Sequence, residues 1–421
     1  MNSIDIIHSR PLSFICNIQI RTVLSWLNLN RLLVAVTVLS LSWYPPANAA
    51  VWQITPSMYA GMEYRDNFNL TGTPLEIWRG VFSGAVESDY RTDRGGVLFN
   101  GRYRGSRYIS NTDLNQDEGF VNVLADYADQ LNLWELDAGI ALEQPSSSQL
   151  QAGNQIFNII TRNRWHVTPT WTRELSDYNE IKLGYTYQDT SYDDIPTLTT
   201  RFSDYFKHLV SATYTQHLTE YSDVLVIGTY TKTNNESLRF NSDQYIIQAA
   251  FDHQFSDTLN FYFAAGGVWL VSHPGSNLAP NATRKNTNAD FVIRLNLEKK
   301  FTYTRLSLGY DRYMEPSVSG GYLMRNQITA QAQQEISEQL TGLIRIRAFQ
   351  SDQIQGTLSQ SGRQQFSGRI ELSWEILENL FLNGGYQYAW QDLSNAATGP
   401  GKQNTVFLTL RYEMSPHFIF P

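Results

Sequence analysis

From Val51 onward, polar and apolar positions alternate in runs of about ten residues, the period of a strand that shows a different face to each side. Ile181, Leu183, Tyr185 and Tyr187 alternate with Lys182, Gly184, Thr186 and Gln188. Phe291, Ile293, Leu295 and Leu297 alternate with Arg294, Asn296 and Glu298. Phe366, Gly368, Ile370, Leu372, Trp374 and Ile376 alternate with Ser367, Arg369, Glu371, Ser373 and Glu375. Helical periodicity between these runs is almost absent. A long succession of segments, each greasy on one face and wet on the other, predicts an all-β chain: one transmembrane antiparallel up-and-down barrel, apolar toward lipid and polar toward a lumen.

The punctuation supports this. Glu174–Asp177, His217–Glu220, Gln254–Asp257, Lys300–Tyr303, Glu335–Glu338 and Glu375–Glu378 mark tight turns, most of them an apolar residue followed by Ser or Thr and an acid. Two earlier turns fall near Tyr90–Arg94 and Tyr127–Gln130. Ser, Thr and Asp suit such turns because their side chains cap nearby backbone N–H groups. The period of about 40 residues also occurs in propellers, but a blade needs four short strands where each period here holds two long ones. Longer connections rich in Asn, Asp, Ser, Gly and Pro lie between the turns: Ser106–Glu118, Gln144–Ile160, Thr190–Asp204, Lys232–Asp243, Ser272–Asn288, Met314–Met324, Ser351–Gln364 and Asp392–Gln403. With a first loop at Arg65–Leu75, the count is nine hairpins and 18 strands. Sixteen is the alternative, because the third and fourth segments are weakly patterned. Short turns at one rim and long loops at the other are the asymmetry of periplasmic turns and external loops, and an even count puts both termini in the periplasm. A large soluble β protein of the periplasm is the competing fold. No segment after Val51 reads as a plug.

Residues 1–49 read as an export signal. Arg10, Arg21 and Arg31 precede an apolar core, Leu32–Tyr44, and Ala47–Asn48–Ala49 offers a cleavage site. The core is short for a spanning helix, which needs roughly 20 residues. Cleavage would leave residues 50–421 as the barrel and remove the only cysteine, Cys16, which excludes thiol chemistry and disulfides from the mature chain. The net charge is −8, and the removed segment is basic, so the mature chain is more acidic still. No mature segment is apolar for long enough to cross a membrane as a helix. The 24 Tyr, 21 Phe and 10 Trp suit the aromatic girdles of a barrel. The expected compartment is the Gram-negative outer membrane.

The opening reads Trp52-Gln-Ile-Thr-Pro56-Ser, then Tyr64-Arg-Asp66-Asn67-Phe-Asn-Leu70. This resembles the outer-membrane β-barrel porins found with bacterial exopolysaccharide and exosortase (PEP-CTERM) loci, in which a Trp-x-Ile-x-Pro-Ser opening runs into Tyr-x-Asp-Asn-x-x-Leu. The repeated hairpins extend the resemblance over most of residues 50–413, while the tail Ser415–Pro421 departs from it. The resemblance implies an outer-membrane pore tied to surface polysaccharide. Asp66 and Asn67 fall where the first strand leaves the membrane, as an Asx turn of the first loop or as a ligand contact at the mouth.

If the apolar face meets lipid, the lumen-lining set includes Lys182, Arg294, Glu298, Arg305, Asp311, Arg345, Arg347, Arg369, Glu371, Glu375 and Arg411. A charge on the lipid face would cost roughly 2–4 kcal/mol near the midplane. Arginines crowd the C-terminal half. They either select anionic solutes, as rings of Arg do in pores, or pair with acids on neighbouring strands; for most single residues the pairing is favoured. Tyr386, Tyr388 and Trp390 share the lipid-facing parity, which favours girdle duty over sugar stacking. The six mature histidines show no metal-ligand spacing. His208 and His217 lie nine residues apart on one strand, roughly 30 Å, too far to share a site. The acidic stretches Asp113–Glu118 and Asp189–Asp194 lack a calcium-loop pattern. No phosphate loop or basic tract points to nucleotide or nucleic acid.

The expected function is a passive porin or conduit linked to polysaccharide export, without enzymatic activity, cofactor or metal. Its expected partners are outer-membrane lipid, the barrel-assembly machinery, and anionic polysaccharide or small solutes. The alternatives are a non-conducting barrel whose external loops bind polysaccharide or a surface partner, and an outer-membrane hydrolase.

Overall fold

The computed structural model describes residues 50–109, 112–143, 161–193, 204–235, 240–273, 286–316, 322–355, 362–393 and 399–419. The export signal read at 1–49 lies outside them, as do the predicted loop 144–160 and the middle of several others. Each alternating run forms a strand of 12 to 17 residues. In chain order they are β1 Val51–Arg65, β2 Ile77–Thr92, β3 Gly95–Tyr108, β4 Gln116–Ala128, β5 Asn132–Glu143, β6 Arg162–Ser176, β7 Asn179–Tyr192, β8 Tyr205–Thr219, β9 Ser222–Asn235, β10 Phe240–Ser256, β11 Leu259–His273, β12 Asn286–Lys300, β13 Thr304–Pro316, β14 Tyr322–Ser337, β15 Leu340–Gln355, β16 Arg363–Leu377, β17 Leu380–Leu393 and β18 Gly401–Glu413.

Consecutive strands pair antiparallel, and β1 pairs with both β2 and β18, so 18 strands close into one barrel. Closure leaves no edge strand to aggregate. The tail is not loose chain: a short β19, His417–Ile419, resumes the ladder on β1 after a one-residue slip, Glu413 facing Ser57 but His417 facing Ile54. The weak pattern of the third and fourth runs has a local cause. The inner face of β3 and β4 carries Leu98, Phe120 and Leu124, while the outer face of β3 carries Gly105, packed under the Phe82 ring. Both faces are therefore mixed, yet both strands form. The strands also run farther into the predicted loops than the loop-forming composition suggests.

At the short-turn rim, the repeated apolar–Ser/Thr marker has a specific job. Five turns slip register by one residue, between Glu174 and Ser176, His217 and Thr219, Gln254 and Ser256, Glu335 and Ser337, and Glu375 and Leu377. The skipped residue is the apolar one, a β-bulge. Leu175, Leu218, Phe255 and Ile336 are each more than half exposed there. The turn itself takes the marker's last residue and the one after it, and the Ser or Thr caps it: Tyr178 N donates to Ser176 Oγ at 3.2 Å and Leu340 N to Ser337 Oγ at 3.1 Å. Each turn is also tied to the previous one. Backbone N–H groups of Ala128, Glu174, His217, Gln254, Lys300, Glu335, Glu375 and Glu413 donate at 2.6–2.9 Å to carbonyls of Arg94, Leu131, Tyr178, Tyr221, Thr258, Tyr303, Gln339 and Asn379. These bonds form one chain around the rim.

At the opposite end the wall is uneven. The β12–β13 ladder stops at Ile293 and Arg312, although β11–β12 continues to Asn286 and β13–β14 to Pro316 and Tyr322. Beyond Arg312 the β13–β14 hairpin leans into the lumen. Its Met314, Tyr322 and Met324 share a face with the outward Leu308 and Ile328, yet they are buried against Val268, Leu270 and Val292 on the inner face of β11 and β12. Tyr322 Oη lies 2.7 Å from Ser242 Oγ and donates to Thr233 Oγ1 at 3.2 Å, while Gln244 Nε2 donates to the Met314 carbonyl. Arg312 holds the departure point. It donates to both Asp290 carboxylate oxygens at 2.8 and 2.9 Å, to the Phe291 carbonyl at 3.2 Å and to Asn326 Oδ1 at 2.9 Å. Of the segment Met314–Met324, read from sequence as an external loop, residues 314–316 and 322–324 are strand and lean inward, and the residues between them lie outside the described ones. The apolar contact with the lumen wall stabilises this bend.

Candidate functional site

The barrel has two chemically distinct faces. Outside, Met58, Met62, Trp78, Phe82, Trp134, Val210, Ile247, Phe291, Ile344, Ile370, Leu372, Val406 and Leu408 are exposed. A contiguous apolar surface of this extent is foreign to a soluble monomer. Tyr386, Tyr388 and Trp390 lie on this outer face, whereas Tyr262 lies on the inner one. Inside, polar and charged side chains line the lumen.

The ladder register puts Lys182, Arg294, Glu298, Arg305, Asp311, Arg345, Arg347, Arg369, Glu371, Glu375 and Arg411 on the inner face. Most of them are paired. Lys182 bonds Glu135 at 2.7 Å, Arg294 bonds Asp311 at 3.0 Å, Arg305 lies 3.6 Å from Glu298, Arg369 bonds Glu371 at 2.7 Å and Arg411 bonds Glu413 at 2.9 Å. Arg345 and Arg347 differ: they donate to amides, Gln331 Oε1 at 3.0 Å and Gln327 Oε1 at 2.7 Å.

Two parts of the lumen stand out. A cavity of about 630 Å³ lies against β1–β6, lined among others by Glu87, Asn100, Arg102, Phe120, Asn122, Arg164 and His166. Most arginines here end on acids, Arg65 and Arg79 on Glu63, Arg104 on Glu118, and Arg162 and Arg164 on Glu143, while Arg102 lies over the Phe120 ring. Across the barrel, beside the inward hairpin, Arg325, Arg347 and Arg363 gather around Phe349. Their guanidinium carbons lie 4.5, 5.6 and 5.4 Å from the ring centroid. Sequence reading missed Arg325 and Arg363, which sit at the ends of runs where alternation fades into loop composition.

Asp66 and Asn67 serve the seam where the first and last strands meet. Asp66 Oδ1 accepts from Asn404 N at 2.7 Å. The buried Asn67 amide donates to the Thr71 carbonyl at 2.6 Å and to the Lys402 carbonyl at 2.9 Å. The loop comes so close that a Cβ on Gly401 would stand 2.0 Å from the Leu70 carbonyl. Only glycine fits there. These contacts make the pair a clasp between the first loop and β18.

The histidines are dispersed. His208 faces outward beside Tyr185 and Tyr187, while His217 faces inward, 2.7 Å from Asp223. Among the described residues no group of three or more His, Cys, Asp or Glu could hold a metal. In the acidic stretch at 113–118, Asp117 accepts from Arg107 and Glu118 from Arg104; Asp194 lies outside the described residues.

Neither a protein-family model nor a curated protein sequence matches the chain. Solved barrels similar to it include Pseudomonas aeruginosa OccK2 (OpdF) in complex with glucuronate, with 10% identity and a TM-score of 0.43 over 87% of this chain and 98% of that one. The outer membrane protein OpdK of the same organism has 12% identity and a TM-score of 0.44 over 87% and 99%. Acinetobacter baumannii OccAB2 has 12% identity and a TM-score of 0.45 over 87% and 99%. Likenesses this weak say nothing of this chain's solute.

Proposed function

We propose that this chain is an outer-membrane porin, a passive channel that favours anionic solutes. The observation that carries this reading is a closed 18-strand barrel, apolar outside and polar within. Only helices and closed barrels satisfy their backbones in lipid, and the outer face here suits hydrocarbon. Anion preference is supported by the arginines of β14–β16, which outnumber their acids. The resemblance of the opening segment to porins of exopolysaccharide loci makes acidic sugars the first solutes to try. On this reading the tight turns face the periplasm and the long loops the exterior.

Refolded protein in a planar bilayer should give discrete conductance steps, and its reversal potential in a KCl gradient should show chloride preference. Conductance with cation preference would remove the anionic part of the reading. A correctly folded barrel without conductance would favour the non-conducting, loop-binding alternative.

A further inference from the structure

We propose that Arg325, Arg347, Phe349, Ser351 and Arg363 form a binding subsite for a hydroxylated carboxylate, placed where the β13–β14 hairpin narrows the lumen. This rests on the reading of the barrel as a channel. The ladder sets Ser351 directly between Arg325 of β14 and Arg363 of β16. Phe349 lies two residues before it and carries all three guanidiniums, within 5.6 Å of its ring. Arg347 is exposed to the lumen, while Ser351 and Arg363 form a buried floor, 1% and 6% exposed.

Three features point to an acceptor from outside the wall. The first is charge: Glu315 lies 2.7 Å from Arg325, whereas the exposed Arg347 ends on the Gln327 amide oxygen. The second is a pair of orphan donors. Ser351 Oγ and Arg325 Nε are buried with no hydrogen-bond partner, a situation that native interiors avoid. One carboxylate can accept from a hydroxyl and a guanidinium together, and the Arg fork matches its two oxygens. The third is the surround. Gln327 gives its amide oxygen to Arg347, and Gln365 and Gln391 give theirs to Arg363, at 2.6–2.7 Å. An amide used in this way offers its NH2 donors to a third party, which suits the hydroxyl oxygens of a sugar acid. A neutral sugar would leave Arg347 without a carboxylate, and a cation would be repelled.

The test is titration calorimetry of the refolded full chain in detergent with galacturonate, using galactose as the neutral match. Galacturonate should bind, and galactose should not. Arg347→Gln and Arg325→Gln should each weaken binding by about tenfold, the worth of a charged hydrogen bond. Ser351→Ala should weaken it severalfold. Arg347→Lys keeps the charge without the fork, so it should weaken binding while the reversal potential stays put. Each variant is first checked for the heat-modifiable, sheet-rich state of the parent. Equal affinity for galacturonate in the parent, Arg325→Gln and Arg347→Gln would overturn the subsite, as would equal binding of galactose. In that case chloride preference in the bilayer would still stand for the channel, and its absence would sink the channel reading separately.

Discussion

On the β1–β6 side of the lumen, acid and base face each other across the ladder: Glu63 opposite Arg79, Arg104 opposite Glu118, Glu143 opposite Arg162. On the β14–β16 side the same ladder sets Arg325 opposite Ser351, Thr329 opposite Arg347 and Arg345 opposite Arg369. Both walls are rich in arginine, but the first matches most of it with acids and leaves Arg102 over the Phe120 ring, while the second leaves Arg345 and Arg347 on amides. The charge of a lumen residue is available for selection only where the register has not already matched it. A cross-strand pair neutralises both partners and stabilises the sheet. An arginine facing an amide keeps its field.

The largest way to break this contrast is to neutralise the unmatched wall. Arg345→Gln and Arg347→Gln together should cut the chloride-to-potassium permeability ratio about fivefold, since two removed charges in a wet lumen are worth on the order of 1 kcal/mol to a passing ion. The reversal potential measures it. Double neutralisation of Arg104 and Glu118, a matched pair on the other wall, should leave that potential where it was.

The inward hairpin belongs to the unmatched wall alone, and Arg312 is its fastening. Arg312→Ala removes the bonds to Asp290, Phe291 and Asn326 and should destabilise the barrel by about 2 kcal/mol, in the range of hydrogen bonds to charged groups. Single-channel conductance should rise as Met314, Tyr322 and Met324 loosen from the lumen wall. Unchanged conductance with lowered stability would mean that these strand ends do not limit flow.

The matched wall can be made to resemble the other. Glu143→Gln leaves Arg162 and Arg164 without their carboxylate. It should cost about 1–2 kcal/mol in urea unfolding, the penalty of an unmatched, half-wet charge. Anion preference should rise at the same time, because two guanidiniums regain their field.

Much of this architecture was legible from the chain. A period of two decides which side chains face opposite sides of the wall without any knowledge of partners, while the turns, and with them a count of 18 strands against the alternative of 16, were read from the Ser, Thr and acid markers. What alternation cannot carry is the neighbour across the ladder. Arg345 and Arg369 both read as lumen residues, but that one meets Gln331 and the other Glu371 depends on register and rotamer. The bend at Met314–Met324 was invisible for a related reason. Once a hairpin folds inward both its faces meet protein, so Met314, Tyr322, Leu323 and Met324 lose the polar alternate and resemble a loop. Asn67 likewise looked like a turn residue because its partner, the Lys402 carbonyl, is at the other end of the chain.

The smallest expected effect lies at the rim beneath the two walls. Below the matched wall, Asp129 accepts from Leu131 N at 3.0 Å, from Asn132 N at 2.8 Å and from the Asn132 amide at 2.9 Å. The Leu131 N–H first, then the Asn132 donors, hold this carboxyl below its ordinary 3.8. A depressed folded value means that the stabilisation is complete above the unfolded value and fades as pH falls through the folded one. Below the unmatched wall the equivalent acceptor is Ser337 Oγ, which bonds Leu340 N at 3.1 Å and has no charge to lose. Amide exchange at 131–132 should therefore speed up between pH 4 and pH 2, after correction for intrinsic rates, while exchange at Leu340 keeps its protection. Asp129→Asn should abolish the difference between the two turns. Equal loss of protection at both would mean that acid loosens the whole rim through its shared backbone chain rather than one turn through its carboxylate.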